Sequence, residues 1–285
     1  MIYQGEITHE GFIYGEALRW HEGALWFSDI GNRKIHRLGP DGIMTCVADV
    51  PETPSGLGWG KDGALMLITM EDSGLRRMDA SGTIERLHDL APHLFHANDM
   101  TVDAEGRAYV TQFGYDLFGG APPQGCSILL VQPDGRKIAC GEGLVFPNGI
   151  GISADGGTLI VAESFSGRLT AFDIGEGGIL TGQRVFASFD DPKDVLDGLC
   201  LDSELGVWVA APMQGEFWRV VDGGRITDRV RPAAGAGSYC VDCVLGGPDM
   251  RTLYMVVADT DVERLGNNWD STATIQQVRV EVPGF

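Results

Sequence analysis

His21-Glu22-Gly23-Ala24-Leu25-Trp26-Phe27-Ser28-Asp29, followed by Arg33-Lys34-Ile35-His36-Arg37-Leu38 and Gly39-Pro40-Asp41-Gly42, is a unit that the chain repeats. It reads as a polar turn with glycine, an apolar strand, a short turn, a second strand and an Asp-Gly turn, the pattern of antiparallel hairpins. The turn-and-strand pair returns as Lys61-Asp62-Gly63-Ala64-Leu65-Met66-Leu67-Ile68 and Ala104-Glu105-Gly106-Arg107-Ala108-Tyr109-Val110-Thr111. It returns again as Ala154-Asp155-Gly156-Gly157-Thr158-Leu159-Ile160-Val161, Ser203-Glu204-Leu205-Gly206-Val207-Trp208-Val209-Ala210 and Gly247-Pro248-Asp249-Met250-Arg251-Thr252-Leu253-Tyr254.

Turn glycines 23, 63, 106, 156 and 206 lie 40, 43, 50 and 50 residues apart, and Asp249 follows 43 residues after the last. A period of 40 to 50 residues is blade spacing. One four-stranded blade leaves both faces wet, whereas six stacked radially cover one another's faces and keep only short edges. The expectation is an all-β fold, a six-bladed β-propeller with a central metal pocket, formed by residues 1–285 as a single domain. Position alone suggests that Ile2 to Ile7 adds a strand to the last blade and latches the ring. Helix is expected at most as one short piece near Asp89 to His96.

The chain has 285 residues, with 21 Lys and Arg against 40 Asp and Glu, a formal charge of −19. Nucleic acid and anionic membrane surfaces both need clustered basic residues, and none occur. No apolar run approaches the roughly 20 residues that span a bilayer. An apolar fraction of 44% suffices for a folded core, and 41 Gly with 13 Pro spread along the chain imply frequent turns. Of six cysteines only Cys240 and Cys243 form a Cys-x-x-Cys, which lacks the further ligands of a zinc site and reads as buried small side chains. With no signal-like amino terminus, the expected compartment is a reducing cytoplasm.

In a propeller the start of each innermost strand gathers at one mouth of the axial channel. Four oxygen-bearing residues recur in that phase: Glu16, Asn98, Asn148 and Asp197, which precede the next turn glycine by seven, eight, eight and nine residues. Two carboxylates and two amides converging on an axis would hold one divalent ion, Ca²⁺ first, with Mg²⁺, Mn²⁺ or Zn²⁺ as other candidates. Asn and Asp before Gly are also ordinary turn residues, so each taken alone is open to that reading. The shared phase favours a common site.

The chain resembles the family of senescence marker protein 30, gluconolactonase and luciferin-regenerating enzyme. The carrying segments are Gly15-Glu16-Ala17-Leu18-Arg19-Trp20, Asn98-Asp99 with Asp103-Ala104-Glu105-Gly106-Arg107, Pro147-Asn148-Gly149-Ile150-Gly151-Ile152-Ser153, Asp197-Gly198, and Cys243-Val244-Leu245-Gly246-Gly247-Pro248-Asp249. The resemblance implies a six-bladed propeller with one divalent metal bound by the residues matching Glu16, Asn98, Asn148 and Asp197. One departure is His96, standing where sugar lactonases of the family often carry Arg two residues before the metal-binding Asn. A histidine is a shorter and switchable partner for substrate, which argues against an aldonolactone.

The expected activity is opening of a cyclic ester, with the metal as Lewis acid and Asp197 as general base toward water. His96 and Asn98 are the expected substrate-binding residues, and Tyr14, Phe113, Tyr115, Phe165 and Met213 an apolar cover. The substrate would be a small lactone or ester, and the protein a monomer or weak homo-oligomer. Two other readings stand beside this one: a phosphotriester or fluorophosphate hydrolase using the same pocket, and a non-catalytic calcium-binding propeller that docks a partner. Neither His-x-x-x-His nor Gly-x-Ser-x-Gly occurs, which leaves a zinc hydrolase of that type unsupported and weakens a serine hydrolase reading.

Overall fold

The structure is a computed structural model describing residues 1–91, 93–235 and 237–285. Six sheets, each built on four antiparallel strands, follow one another along the chain. From inner to outer strand, the first is Gly15–His21, Ala24–Asp29, Lys34–Leu38 and Met44–Asp49. The second is Pro54–Trp59, Leu65–Thr69, Gly74–Met78 and Ile84–Asp89. The third is Ala97–Val102, Ala108–Gln112, Gly125–Val131 and Lys137–Val145. The fourth is Pro147–Ile152, Thr158–Glu163, Arg168–Ile174 and Leu180–Ser188. The fifth is Leu199–Leu201, Val207–Ala211, Glu216–Val221 and Arg225–Arg231, and the sixth begins with Tyr239–Gly246, Thr252–Asp259 and Thr272–Arg279. This is the six-bladed β-propeller that the repeat implies.

The second strand of each blade reads as a continuous apolar run because both of its faces are buried. Leu67 packs toward the first blade while Met66 and Ile68 pack toward the third. Tyr109 faces the fourth blade and Ala108 and Val110 the second; Trp208 faces the sixth and Val207 and Val209 the fourth. Period-two alternation therefore feeds a separate core at each of the six blade-to-blade contacts. Asp62, Asp103, Asp155 and Asp202 begin the tight turns by accepting backbone N–H groups two residues on, at 2.9 to 3.1 Å.

Ring closure differs in detail from the expectation that Ile2 to Ile7 joins the last blade. Glu6–Phe12 is the outer strand of the sixth blade, antiparallel to Thr272–Arg279, but Ile2–Gln4 runs parallel to Arg225–Arg231 and belongs to the fifth. The short α-helix also lies elsewhere, at Val262–Gly266, capped by the Asp261 side chain on Arg264 N. Asp89 ends a strand, and the described residues between it and His96 form turns and bends, with 92 outside the described residues. All six cysteines are free thiols, and Cys240 and Cys243 are buried. No helix among the described residues is long and apolar enough to cross a membrane.

Candidate active site

Five of the six innermost strands carry a bulge near their start, the exception being Leu199–Leu201 of the fifth blade. Register breaks between Glu16 and Arg19, Ala97 and Met100, and Pro147 and Ile150 take these residues out of the regular ladder. Bulges re-aim side chains. Just before them the backbone is left-handed at His96 and Phe146, each two residues ahead of an asparagine. The result is that Glu16, Asn98, Asn148 and Asp197, from four blades, line one chamber at the hub. All four are at least nine-tenths buried. The sequence-predicted set is thus brought together.

Within this set Asn148 Nδ2 donates to Asp197 Oδ1 at 2.5 Å and to Ser164 Oγ at 3.1 Å. That leaves the Asn148 carbonyl oxygen as the atom available to a ligand. Asn98 Nδ2 is buried without a partner among the described residues. Burial, then the charges of Asp197, Asp242 and Asp99, pushes the Glu16 carboxyl well above the ordinary range. Burial and the Asp242 and Asp99 charges do the same to Asp197, against the hydrogen bond from Asn148. No Lys, Arg or His lines the chamber among the described residues. Two desolvated carboxylates without a counter-charge, two amides and an orphaned polar atom suit a hard divalent cation, so the residues present fit such an ion.

A second charged layer lies against this one. Arg19 Nη2 meets Asp99 Oδ1 at 2.6 Å, and Arg19 Nη1 stands 4.0 Å from Asp242 Oδ2. Asp242 accepts Leu18 N at 2.6 Å and Cys243 N at 2.7 Å. Burial, opposed by Arg19 and reinforced by Asp99, leaves its carboxyl pushed up to about 7. Asp242 is absent from the sequence-predicted set, although the sequence carries a signal for it. The left-handed turn residues are Gly106, Gly156, Leu205 and Met250, and eight residues before them stand Asn98, Asn148, Asp197 and Asp242. Counting from Gly206 instead of Leu205 concealed the common offset.

Glycine allows the hub to be this narrow. A Cβ on Gly149 would come within 2.6 Å of Asp197 O and Leu199 N, and one on Gly56 within 2.5 Å of Met100 N. One on Gly198 would overlap the Asp242 carboxylate. The Asn148-Gly149 and Asp197-Gly198 pairs serve close strand approach, beyond any role as turn dipeptides.

The loop between the second and third strands of the blades covers the chamber. Ile30, Met70, Phe113 and Phe165 come from the first four blades, and Leu265 and Trp269 from the sixth. Tyr14, Phe113 and Phe165 of the expected cover line it. Tyr115 does not; it packs behind Phe146 with ring centroids 6.0 Å apart. Met213 occupies the matching loop of the fifth blade but is 44% exposed and takes no part in the lining. Nor does His96 line this chamber. It stacks on Phe95 at 4.4 Å and borders an adjoining outer cavity with Arg33, Thr53, Glu71 and Asn268.

Comparison with known proteins agrees with the propeller fold. A family model described as "SMP-30/Gluconolactonase/LRE-like region" matches residues 14–259. Regucalcin of Xenopus laevis is 26% identical over 267 residues, covering 88% of this chain and 85% of its own. Lactonase drp35 of Staphylococcus saprophyticus is 28% identical over 229 residues, covering 74% and 67%. The crystal structure of a calcium-binding protein, regucalcin, from Agrobacterium tumefaciens superposes with a TM-score of 0.81 at 23% identity, over 100% of this chain and 97% of that one.

Proposed function

Since the chain belongs to the SMP-30/gluconolactonase/LRE-like family, we propose that it is a metal-dependent hydrolase that opens a lactone in its axial chamber. One relative carries the name lactonase and another the description calcium-binding, and both support this reading. The observation that carries it is the convergence of Glu16, Asn98, Asn148 and Asp197 from four blades on one chamber that lacks a basic side chain among the described residues.

Glu16, Asn98, Asn148 and Asp197 would hold one divalent ion, Ca²⁺ first, and the ion would supply Lewis-acid polarisation of the ester carbonyl. Asp197 is the general base. Its Oδ1 is engaged by Asn148, so the other carboxylate oxygen is the one that takes a proton from the attacking water. Asn98 has an unsatisfied Nδ2 to offer a substrate oxygen. The Tyr14 and Tyr239 phenols line the same chamber and are held above their ordinary pKa by burial and then by the Asp197 charge, so they stay neutral and able to donate. His96 would touch only substrate that extends into the outer cavity. The free thiols fit a reducing cytoplasm.

Elemental analysis of the purified protein, joined to a panel of γ- and δ-lactones read with a pH indicator, tests the proposal. One equivalent of a divalent metal and chelator-sensitive lactone opening are expected. Stoichiometric metal with no turnover on any lactone or ester would overturn it in favour of a binding propeller.

A further inference from the structure

Polar and apolar groups are segregated in the chamber and its vestibule. The polar atoms inside belong to the hub: the four proposed ligands, Ser164, and the Tyr14 and Tyr239 hydroxyls, which form no hydrogen bond with other described residues. Away from the hub the wall is Phe113, Phe118, Phe146, Phe165, Leu265 and Trp269. Phe113 packs on Phe146 with centroids 4.5 Å apart, and Phe165 meets Phe146 edge-on at 5.2 Å. Among the described residues, charged groups return outside, where Arg33 and Glu71 border the vestibule. Phe118 stands at the junction, bordering both spaces and 47% exposed.

A polyhydroxylated lactone placed here would bring several hydroxyls against aromatic carbon without partners, and each hydroxyl stranded that way opposes binding. A ring bearing an alkyl or aryl group would instead present its one ester to the hub and its apolar body to the wall. We propose that the substrate class of this chamber is a neutral lactone with an alkyl or aryl substituent, selected by the Phe113, Phe118, Phe146, Phe165, Leu265 and Trp269 wall. This rests on the lactone-hydrolase reading for its chemistry, but the wall's preference is a binding property that can be measured by itself.

The experiment uses the metal-loaded protein with a series of δ-lactones whose alkyl chain lengthens from methyl to pentyl, with a phenyl-substituted δ-lactone and with glucono-δ-lactone. The kcat/KM should rise roughly four-fold per methylene, the equivalent of about 0.8 kcal/mol, and glucono-δ-lactone should be the poorest of the set. In parallel the matching alkyl δ-lactams, which lack the labile ester, are titrated against tryptophan fluorescence, with Trp269→Phe to assign the signal. Affinity should climb along the same series. Phe118→Ser, at a half-exposed position compatible with folding, should flatten both series. A flat series in both assays, or preference for glucono-δ-lactone, overturns the assignment. Lactams that bind with the expected chain-length dependence, while no lactone is opened, would uphold the apolar-ligand chamber and reject the hydrolase.

Discussion

Arg19 and Asp99 meet beneath the chamber, Nη2 to Oδ1 at 2.6 Å, although they come from the first and third blades. The same guanidinium donates to Leu57 O of the second blade at 3.1 Å and to Met100 O at 2.7 Å, and it faces Asp242 of the sixth. One side chain therefore ties four blades together just below the proposed ligands. Removing it would leave two buried carboxylates uncompensated. Arg19→Met should cost about 3–5 kcal/mol in denaturant unfolding. Arg19→Met with Asp99→Asn should recover part of that loss, and strict additivity of the two single losses would show that the pair is not coupled.

Glu16 and Asp197 repel each other in a desolvated chamber, and a bound dication would relieve that repulsion. Calcium should raise the melting temperature, with about 2.7 kcal/mol of stabilisation at a free concentration one hundred times Kd. Scanning calorimetry with and without chelator measures it. An unchanged transition across a calcium titration would remove the ion from this site.

Asp197→Asn separates catalysis from ligation. The amide can still present an oxygen but cannot take a proton, so kcat should fall by about 10²- to 10⁴-fold with a smaller loss in metal affinity. The metal-free variant should melt higher than the metal-free parent, because one of the opposed buried charges is gone. Equal losses in turnover and affinity, followed by calorimetric titration, would leave Asp197 a ligand only.

Gly149→Ala pushes a methyl group into the backbone at Asp197 and Leu199. Neither backbone atom can rotate away, so a loss of about 1–3 kcal/mol is expected, together with reduced turnover as Asp197 shifts. Gly23→Ala is the control, since its Cβ would meet nothing within 4 Å and only the positive φ opposes it. Its unfolding midpoint should drop while turnover holds.

Acid should act at Asp29. Burial pushes this carboxyl up, but the His36 and Asn32 side chains and the Tyr14 and Ile13 N–H groups outweigh burial and hold it below the ordinary carboxylate value. A depressed folded pKa contributes stability that is full above the unfolded value of about 3.9 and disappears as pH falls through the folded one. The stability gap between parent and Asp29→Asn should thus be constant near neutrality and close in strong acid. A gap that does not change with pH would mean that Asp29 acts through shape alone.

Much of this was legible before any coordinates. The Asp-Gly turns and the apolar runs behind them announce blades because each second strand is buried on both faces, as Leu67, Tyr109 and Trp208 illustrate. Glu16, Asn98, Asn148 and Asp197 share a phase, and phase in a propeller is position about the axis. What one sequence concealed is lateral. Nothing in its spacing says that Arg19 reaches across to Asp99, that Tyr239 turns toward the hub, or that His96 stacks on Phe95 outside the chamber. Loop direction was equally hidden: Phe165 and Met213 occupy matching loops, yet only one points inward.

The split pairing of the first dozen residues has a consequence for biosynthesis. Residues 2–4 and 6–12 are synthesised ahead of every blade strand they join, and their partners at 225–231 and 272–279 follow only with the fifth and sixth blades. Blades one to four can assemble during translation, while these two strands wait unpaired for the fifth and sixth. A product stalled before residue 225 would carry two strands with bare edges, open to pairing with other chains.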